Sequence, residues 1–474
     1  VSRLDELRRS SPLALLVGIA AASVGVIYGY DLSNIAGALL FIEDDFHLSS
    51  VEQEMVATAA VIGAIGGAAG GGWLANLIGR KKSMVAVAAA YAVFAVLGAL
   101  SVSLPMLVVA RLLLGVTIGV SVVVVPVFVA ESVPAAVRGS LLVAYGFTSV
   151  IGIIAGYLVA FALAGTHNWR LMLGLAAIPA VLVILLLARV PDSARWYMLK
   201  GRVADARETL RRVEPKSDAE TELAEIARAL QEEEQEHVGV LREMLQLPYL
   251  RATIFVVLLG FFIQITGINA IVYYSPRLFE KMGFTGNFAL LVLPALVQVA
   301  ALGVMFVSLI LVDRVGRRPI LLLGITVMIA ANGILIGVFA AGSLFGDALA
   351  TFKFVGVLLF TVGYTFGFGS LVWVYAGESL PSRLRSMGSS AMLTSNLVAN
   401  AIIVGVFLTM LTRLGGAATF AVFGVLATLS FGFVYRYAPE TKGRQLEDIR
   451  HFWENGGRWP ELAFEPRHEV TETV

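Results

Sequence analysis

Twelve stretches of this chain are apolar for long enough to cross a bilayer, near residues 13–40, 52–77, 83–102, 105–129, 140–163, 170–190, 250–272, 288–312, 319–341, 351–376, 386–411 and 416–437. Each is a long unbroken run rather than an alternation of polar and apolar positions. That predicts helices, which satisfy their own backbone groups in lipid. One long polar stretch, 191–249, interrupts the series after the sixth run. Its segments ARWYMLKGRVADARETLRRVEP and DAETELAEIARALQEEEQEH predict short, charged, amphipathic helices, with Glu232 to Glu236 on a solvated face. The expected fold is an all-α membrane protein with twelve transmembrane helices in two six-helix halves. The boundaries are an N-terminal half over 1–190, a helical linker over 191–249, a C-terminal half over 250–437 and a tail over 438–474.

Composition agrees. The 474 residues are 58% hydrophobic and only 15% charged, with a mean hydropathy of +0.83, which excludes an ordinary soluble domain. A net charge of +1 gives no reason to expect nucleic acid. The absence of cysteine excludes disulfides and thiolate chemistry. The first run is longer than a signal-peptide core and lacks a small-residue cleavage site, so it is expected to stay as a membrane helix. Most of the 35 Lys and Arg residues fall in loops on the side of the two termini, and the first loop opposite, FIEDDFHLSS, is acidic. The positive-inside rule puts both termini in the cytoplasm. A bacterial plasma membrane is expected. No motif requires an oligomer: the glycine-rich run GAIGGAAGGGW reads as close packing within one bundle, and a monomer is expected.

Asp31 is the only charge between Pro12 and Phe41. A carboxylate at that depth is costly and points to a transport pathway. It lies roughly 13 Å from the outer end of its span, and Arg111, in the fourth span, lies roughly 9 Å from the same side. The two can meet. Pairing favours the carboxylate, and separation in apolar surroundings favours the protonated acid. Such a group can load a proton in one conformation and release it in another. The chain has no Walker A loop, His-Glu-x-x-His or Gly-x-Ser-x-Gly pattern, and its five histidines are scattered. An enzyme is therefore not expected, nor a metal or cofactor, and transport without a nucleotide motor is.

The halves repeat each other. IGRKK at 78–82 is matched by VGRRP at 315–319. Glu131, Pro134 and Arg138 are matched by Glu378, Pro381 and Arg385, and PDSARW at 191 by PETKGR at 439. A duplicated six-span unit implies a cavity between the halves and alternating access by rocking.

These motifs, with GYDLSNIAGAL, QITGINAIVYYS and PETKGRQLEDI in the same order, resemble the sugar porter family of the major facilitator superfamily over about residues 25–450. The resemblance implies a proton-coupled carrier of a sugar or polyol. It implies a breakable cytoplasmic gate among Arg80, Arg138, Arg317, Arg385, Glu131, Glu378, Asp192 and Glu440. It agrees with Asp31 as the proton site, since proton symporters carry an aspartate there. A sugar needs amides and phenols for hydrogen bonds and an aromatic face for its C–H side. Gln264, Asn269, Tyr273 and Tyr274 in span 7, Trp373 in span 10, and Asn396 and Asn400 in span 11 are the candidates. The two tyrosines are alternatively an outer gate, and Asn396 helix–helix glue. Gln264 and Asn269 sit about 140° apart on an ideal helix, so they share a cavity only if span 7 breaks, and Gly267 is the expected break. Three positions depart from the family pattern: Gly146, Ile263 and Ala301 stand where amides are usual. That leaves open a pentose, polyol, inositol or less hydroxylated cargo. A non-sugar carrier or exporter, or a sugar sensor on the same fold, is the alternative.

Overall fold

The computed structural model describes residues 11–213, 218–236, 240–247, 249–341, 348–380, 382–442 and 446–459. Twelve helices among them are long and apolar enough to span a membrane: Pro12–Phe46, Ser50–Ile78, Arg80–Ala99, Leu104–Ser132, Leu141–Ala164, Trp169–Ala188, Tyr249–Lys281, Phe288–Val312, Arg317–Ala341, Leu349–Tyr375, Leu384–Arg413 and Gly415–Tyr437, called spans 1 to 12. No strand occurs among the described residues. Several helices outrun their apolar stretch, because caps rather than hydropathy end them. Span 1 starts where the Ser11 hydroxyl accepts from the Ala14 amide, and it stops at His47 in the left-handed region. Span 2 starts on a reciprocal Ser49–Glu52 capping box.

The packing order is itself duplicated. Span 1 lies along span 5, span 2 along span 4, and span 3 along spans 4 and 6. In the second half span 7 lies along span 11, span 8 along span 10, and span 9 along spans 10 and 12. The halves meet through spans 1 and 7, 2 and 11, and 5 and 8. The linker forms helices Ala194–Leu199, Val203–Val213, Ala219–Glu236 and Val240–Met244. In the tail, helix Leu446–Glu454 sets Trp453 against Phe255 of span 7, with ring centroids 5.4 Å apart.

Glycine lets spans 2 and 4 touch backbone to backbone. A Cβ on Gly115 would sit 1.9 Å from the Ala60 carbonyl oxygen, and one on Gly63 would sit 2.0 Å from that of Leu112. Much of the glycine-rich face is thus spent inside the bundle. Gly115→Val forces the two helices apart, and overpacking of this kind costs about 1–3 kcal/mol or more. The expected result is a clear drop in the detergent unfolding temperature, with Gly66→Ala, where a Cβ meets nothing within 4 Å, as the silent control.

Candidate functional site

Span 7 is broken at Gly267, the expected position. Helix Tyr249–Ile265 ends, Gly267 takes φ 106°, and helix Ile268–Lys281 restarts. An L-residue resists that backbone, and a Cβ there would also strike the Phe423 ring at 2.6 Å. The break brings Gln264, Asn269, Asn396 and Asn400 into buried positions in one half. Gln264 donates to Asn396 Oδ1 across 3.5 Å. Gln264 Oε1, Asn269 Nδ2 and Asn400 Oδ1 remain buried without a protein partner. Unpaired amides are expensive in an apolar setting and leave hydrogen-bonding capacity unused.

The two tyrosines separate in role. Tyr274 donates to the Val404 carbonyl at 2.9 Å and stacks on Phe407, so it is fixed inside its own half. Tyr273 instead has its hydroxyl beside Arg111 in the other half. Trp373 lies on helix Ser370–Glu378 and is 48% exposed, so protein does not close over its indole. The three departures are apolar and packed. Ile263 and Ala301 are buried, and a Cβ on Gly146 would meet the Met305 methyl of span 8 at 2.7 Å.

Asp31 and Arg111 form an ion pair through Arg111 Nη1, and both are at most 4% exposed. Tyr91 of span 3 and Tyr28 of span 1 lie in the same electrostatic neighbourhood, and the Tyr28 hydroxyl faces the Asn269 amide. Tyr28 thus lies between the charged pair and Asn269, and Tyr273 sets span 7 beside Arg111. Composition alone gave Tyr28 no weight; its place three residues before Asp31 was the available signal.

The end of the bundle carrying the Gly-Arg turns repeats one arrangement twice. Gly79 and Gly316 adopt φ 105° and 110°. Arg80 donates to Ala75 O and Arg317 to Val312 O, each at 3.3 Å, capping the helix just ended. Arg80 holds Glu131 in a two-point pair at 2.8 and 2.9 Å, and Arg317 approaches Glu378 at 3.8 Å. Asp192 and Glu440 act differently from the expectation. Asp192 accepts from the backbone amides of Arg80 and Lys81, and Glu440 from those of Arg317 and Arg318. They cap the N-termini of spans 3 and 9, where the helix dipole favours an anion. Arg138 donates to the Val133 carbonyl at 3.5 Å; among the described residues its Nε, and Nε and Nη2 of Arg385, have no hydrogen-bond partner. The ion pairs Arg80–Glu131 and Arg317–Glu378 each join residues of one half.

At the opposite end hydrogen bonds cross between halves. Tyr157 donates to Val272 O at 2.6 Å, Arg277 pairs with Glu43 and donates to Leu39 O at 3.2 Å, and Glu54 accepts from the amide and hydroxyl of Thr409, each at 2.6 Å. Glu54 is 3% exposed, although it stands near the mouth of span 2 beside the exposed Val51 and Met55, where a sequence gives no sign of burial. Its role depends on a helix start, Phe407–Arg413, that hydropathy does not reveal.

A duplicated twelve-span bundle with a buried ion pair in one half and unpaired amides in the other defines a secondary transporter of the major facilitator fold. The sugar (and other) transporter family profile matches residues 17–453, and the chain belongs to that family. It is 35% identical over 457 residues to the galactose-proton symporter of Escherichia coli K12, covering 96% of this chain and 98% of the relative. It is 34% identical over 447 residues to the arabinose-proton symporter of the same strain, covering 94% of each. Its fold is similar to a partially occluded inward-open conformation of the xylose transporter XylE from E. coli, with TM-score 0.77, 25% identity, and coverage of 92% of this chain and 100% of that one.

Proposed function

We propose that this protein imports a sugar or related polyol by symport with a proton. The observation that carries the reading is the buried Asp31–Arg111 pair, with Tyr28 between it and Asn269 and Tyr273 of span 7 beside Arg111. Asp31 is the proton site. Gln264, Asn269, Asn396 and Asn400 bind the cargo, and Trp373 offers it an aromatic face. Tyr274 supports the site from behind. Gly146, Ile263 and Ala301 offer no hydrogen bonds, so the cargo is held chiefly by the C-terminal half. That favours a pentose, polyol or less hydroxylated ring over a fully engaged hexose.

The halves rock about this site. With the termini in the cytoplasm of a cell whose plasma membrane holds the protein, the end crossed by Glu54–Thr409 and Arg277–Glu43 faces outward and is shut. The unused donors of Arg138 and Arg385 and the unpaired Glu378 Oε2 lie at the inner end, available to bind across the halves when that end closes. Asp192 and Glu440 hold the two turns in place for the gate. The bundle needs no second copy to complete the site, and a monomer suffices.

Uptake into proteoliposomes under an imposed proton gradient, with labelled galactose, arabinose, xylose, inositol and sorbitol, tests the reading. Accumulation of one of them above its outside concentration, abolished by a proton ionophore, is expected. Equilibration without accumulation for every compound overturns it. The latch has its own test. Because the chain has no cysteine, Thr58→Cys gives a single label site under the closed outer end, beside Gly405. Glu54→Ala is expected to raise its labelling rate from outside several-fold, and Glu378→Gln to lower it. Equal rates in all three backgrounds contradict the assignment of the two ends.

A further inference from the structure

A cavity beside Asp31 belongs to neither the cargo site nor the gates. It lies inside the N-terminal half, lined by Asp31 and Asn34 of span 1, Gly98 of span 3, Arg111 of span 4 and Leu173 and Ala176 of span 6. Spans 3 and 6 pack against span 1 and each other, and neither is among the spans through which the halves meet. The cavity measures 10 Å³, about the space for one water molecule. Three of its lining residues contribute buried polar atoms with no protein partner: Asp31 Oδ2, Asn34 Oδ1, and Nε and Nη2 of Arg111. The rest of the lining is apolar.

Asn34 is the informative residue. It is 2% exposed and follows Asp31 by three positions, so both share one face of span 1. A buried amide oxygen without a partner is unfavourable, and nothing in the cargo site uses it. The other groups facing Asp31 are Arg111 from span 4, Tyr28 from span 1, Tyr91 from span 3 and Tyr273 from span 7. Arginine stays charged, and phenols are ordinarily neutral near pH 7. Asp31 is the member of this cluster that exchanges a proton.

We propose that this cavity binds a single water that hands the proton to Asp31 Oδ2, with the Asn34 side-chain oxygen positioning it. In the transfer one O–H bond of the protonated water breaks and the Oδ2–H bond forms. Neutral water stays behind, accepting the next proton from the outer aqueous phase. The proton thus reaches Asp31 between spans 3 and 6, by a route separate from the cargo. Asn34 is a positioning residue, and the inference rests on Asp31 being the proton site.

Two substitutions perturb the water without touching the ion pair. Asn34→Leu removes the oxygen. Gly98→Ala narrows the cavity from the far wall: the new Cβ meets Ala110 and Leu173 at 3.9 Å, ordinary contact, and alanine favours a helix. Asn34→Ser keeps an acceptor and is the conservative rescue. The full chain in proteoliposomes is assayed with whichever of labelled galactose, arabinose and xylose the wild type accumulates, alongside Asp31→Asn. The maximal rate of proton-driven uptake is expected to fall about tenfold in Asn34→Leu and Gly98→Ala, the factor carried by one hydrogen bond of typical strength. The loss shrinks as the outer pH is lowered, gradient-free exchange keeps its rate, and Asn34→Ser stays near wild type. Wild-type driven uptake in both Asn34→Leu and Gly98→Ala overturns the proposal. So do equal losses in driven uptake and exchange, which mark a merely structural role. If Asp31→Asn still accumulates cargo, the proton-site reading fails and this one with it. If Asp31→Asn loses accumulation while the other two retain it, only the water site fails.

Discussion

Asp31→Asn abolishes accumulation of cargo against its gradient and leaves counterflow exchange running. The substitution keeps the shape of the side chain and removes its ability to take up and release a proton. Arg111 then has no anionic partner in any conformation, so the cycle no longer distinguishes loaded from unloaded states. Exchange needs only that the cargo-bound protein move between its two openings, and the amides of spans 7 and 11 are untouched. The expected contrast is large: the ratio of inside to outside cargo falls to one, while exchange stays within a few-fold of wild type. Labelled-sugar uptake with and without a pH gradient checks both halves of the statement. Accumulation persisting in the variant removes Asp31 from the mechanism.

Arg111→Leu damages the fold more than Asp31→Asn does. Removing the cation leaves the buried Asp31 without a counter-charge and with one oxygen already unpartnered. Breaking one side of a buried pair costs about 3–5 kcal/mol, chiefly through the stranded charge. The double variant Asp31→Asn, Arg111→Leu strands no charge and recovers much of the loss. Unfolding in detergent, followed by tryptophan fluorescence, reads all three. A deficit in Arg111→Leu that the double variant does not relieve would falsify the pairing as the source of the instability.

The fold was legible because lipid leaves the chain few options. Long apolar runs must be helices, and three repeated motifs reveal the duplication that the packing order then displays. The Asp31–Arg111 pair was legible from depth alone, and the break at Gly267 from the need to turn two amides toward one space. What the sequence did not disclose concerns partners rather than elements. Asp192 and Glu440 sit in motifs rich in arginine, yet they bind backbone amides, and residue identity cannot distinguish a side-chain donor from a helix N-terminus. Tyr273 and Tyr274 are adjacent and chemically alike, but successive helical residues point about 100° apart, and one meets Arg111 of the other half while the other bonds within its own. Glu54 gains its meaning from Thr409, 355 residues away. Asn34 was readable only as one more polar residue on span 1 until the cavity beside Asp31 gave it a neighbour.

Cargo movement and proton movement are one event in this account, and a pH electrode reads that directly. Proteoliposomes or intact cells carrying the protein are placed in weakly buffered medium without a gradient, and the accepted sugar is added outside. The medium is predicted to turn transiently alkaline in step with sugar uptake, and Asp31→Asn is predicted to take up sugar with no pH change. Sugar uptake by the wild type with no proton movement would contradict the central claim.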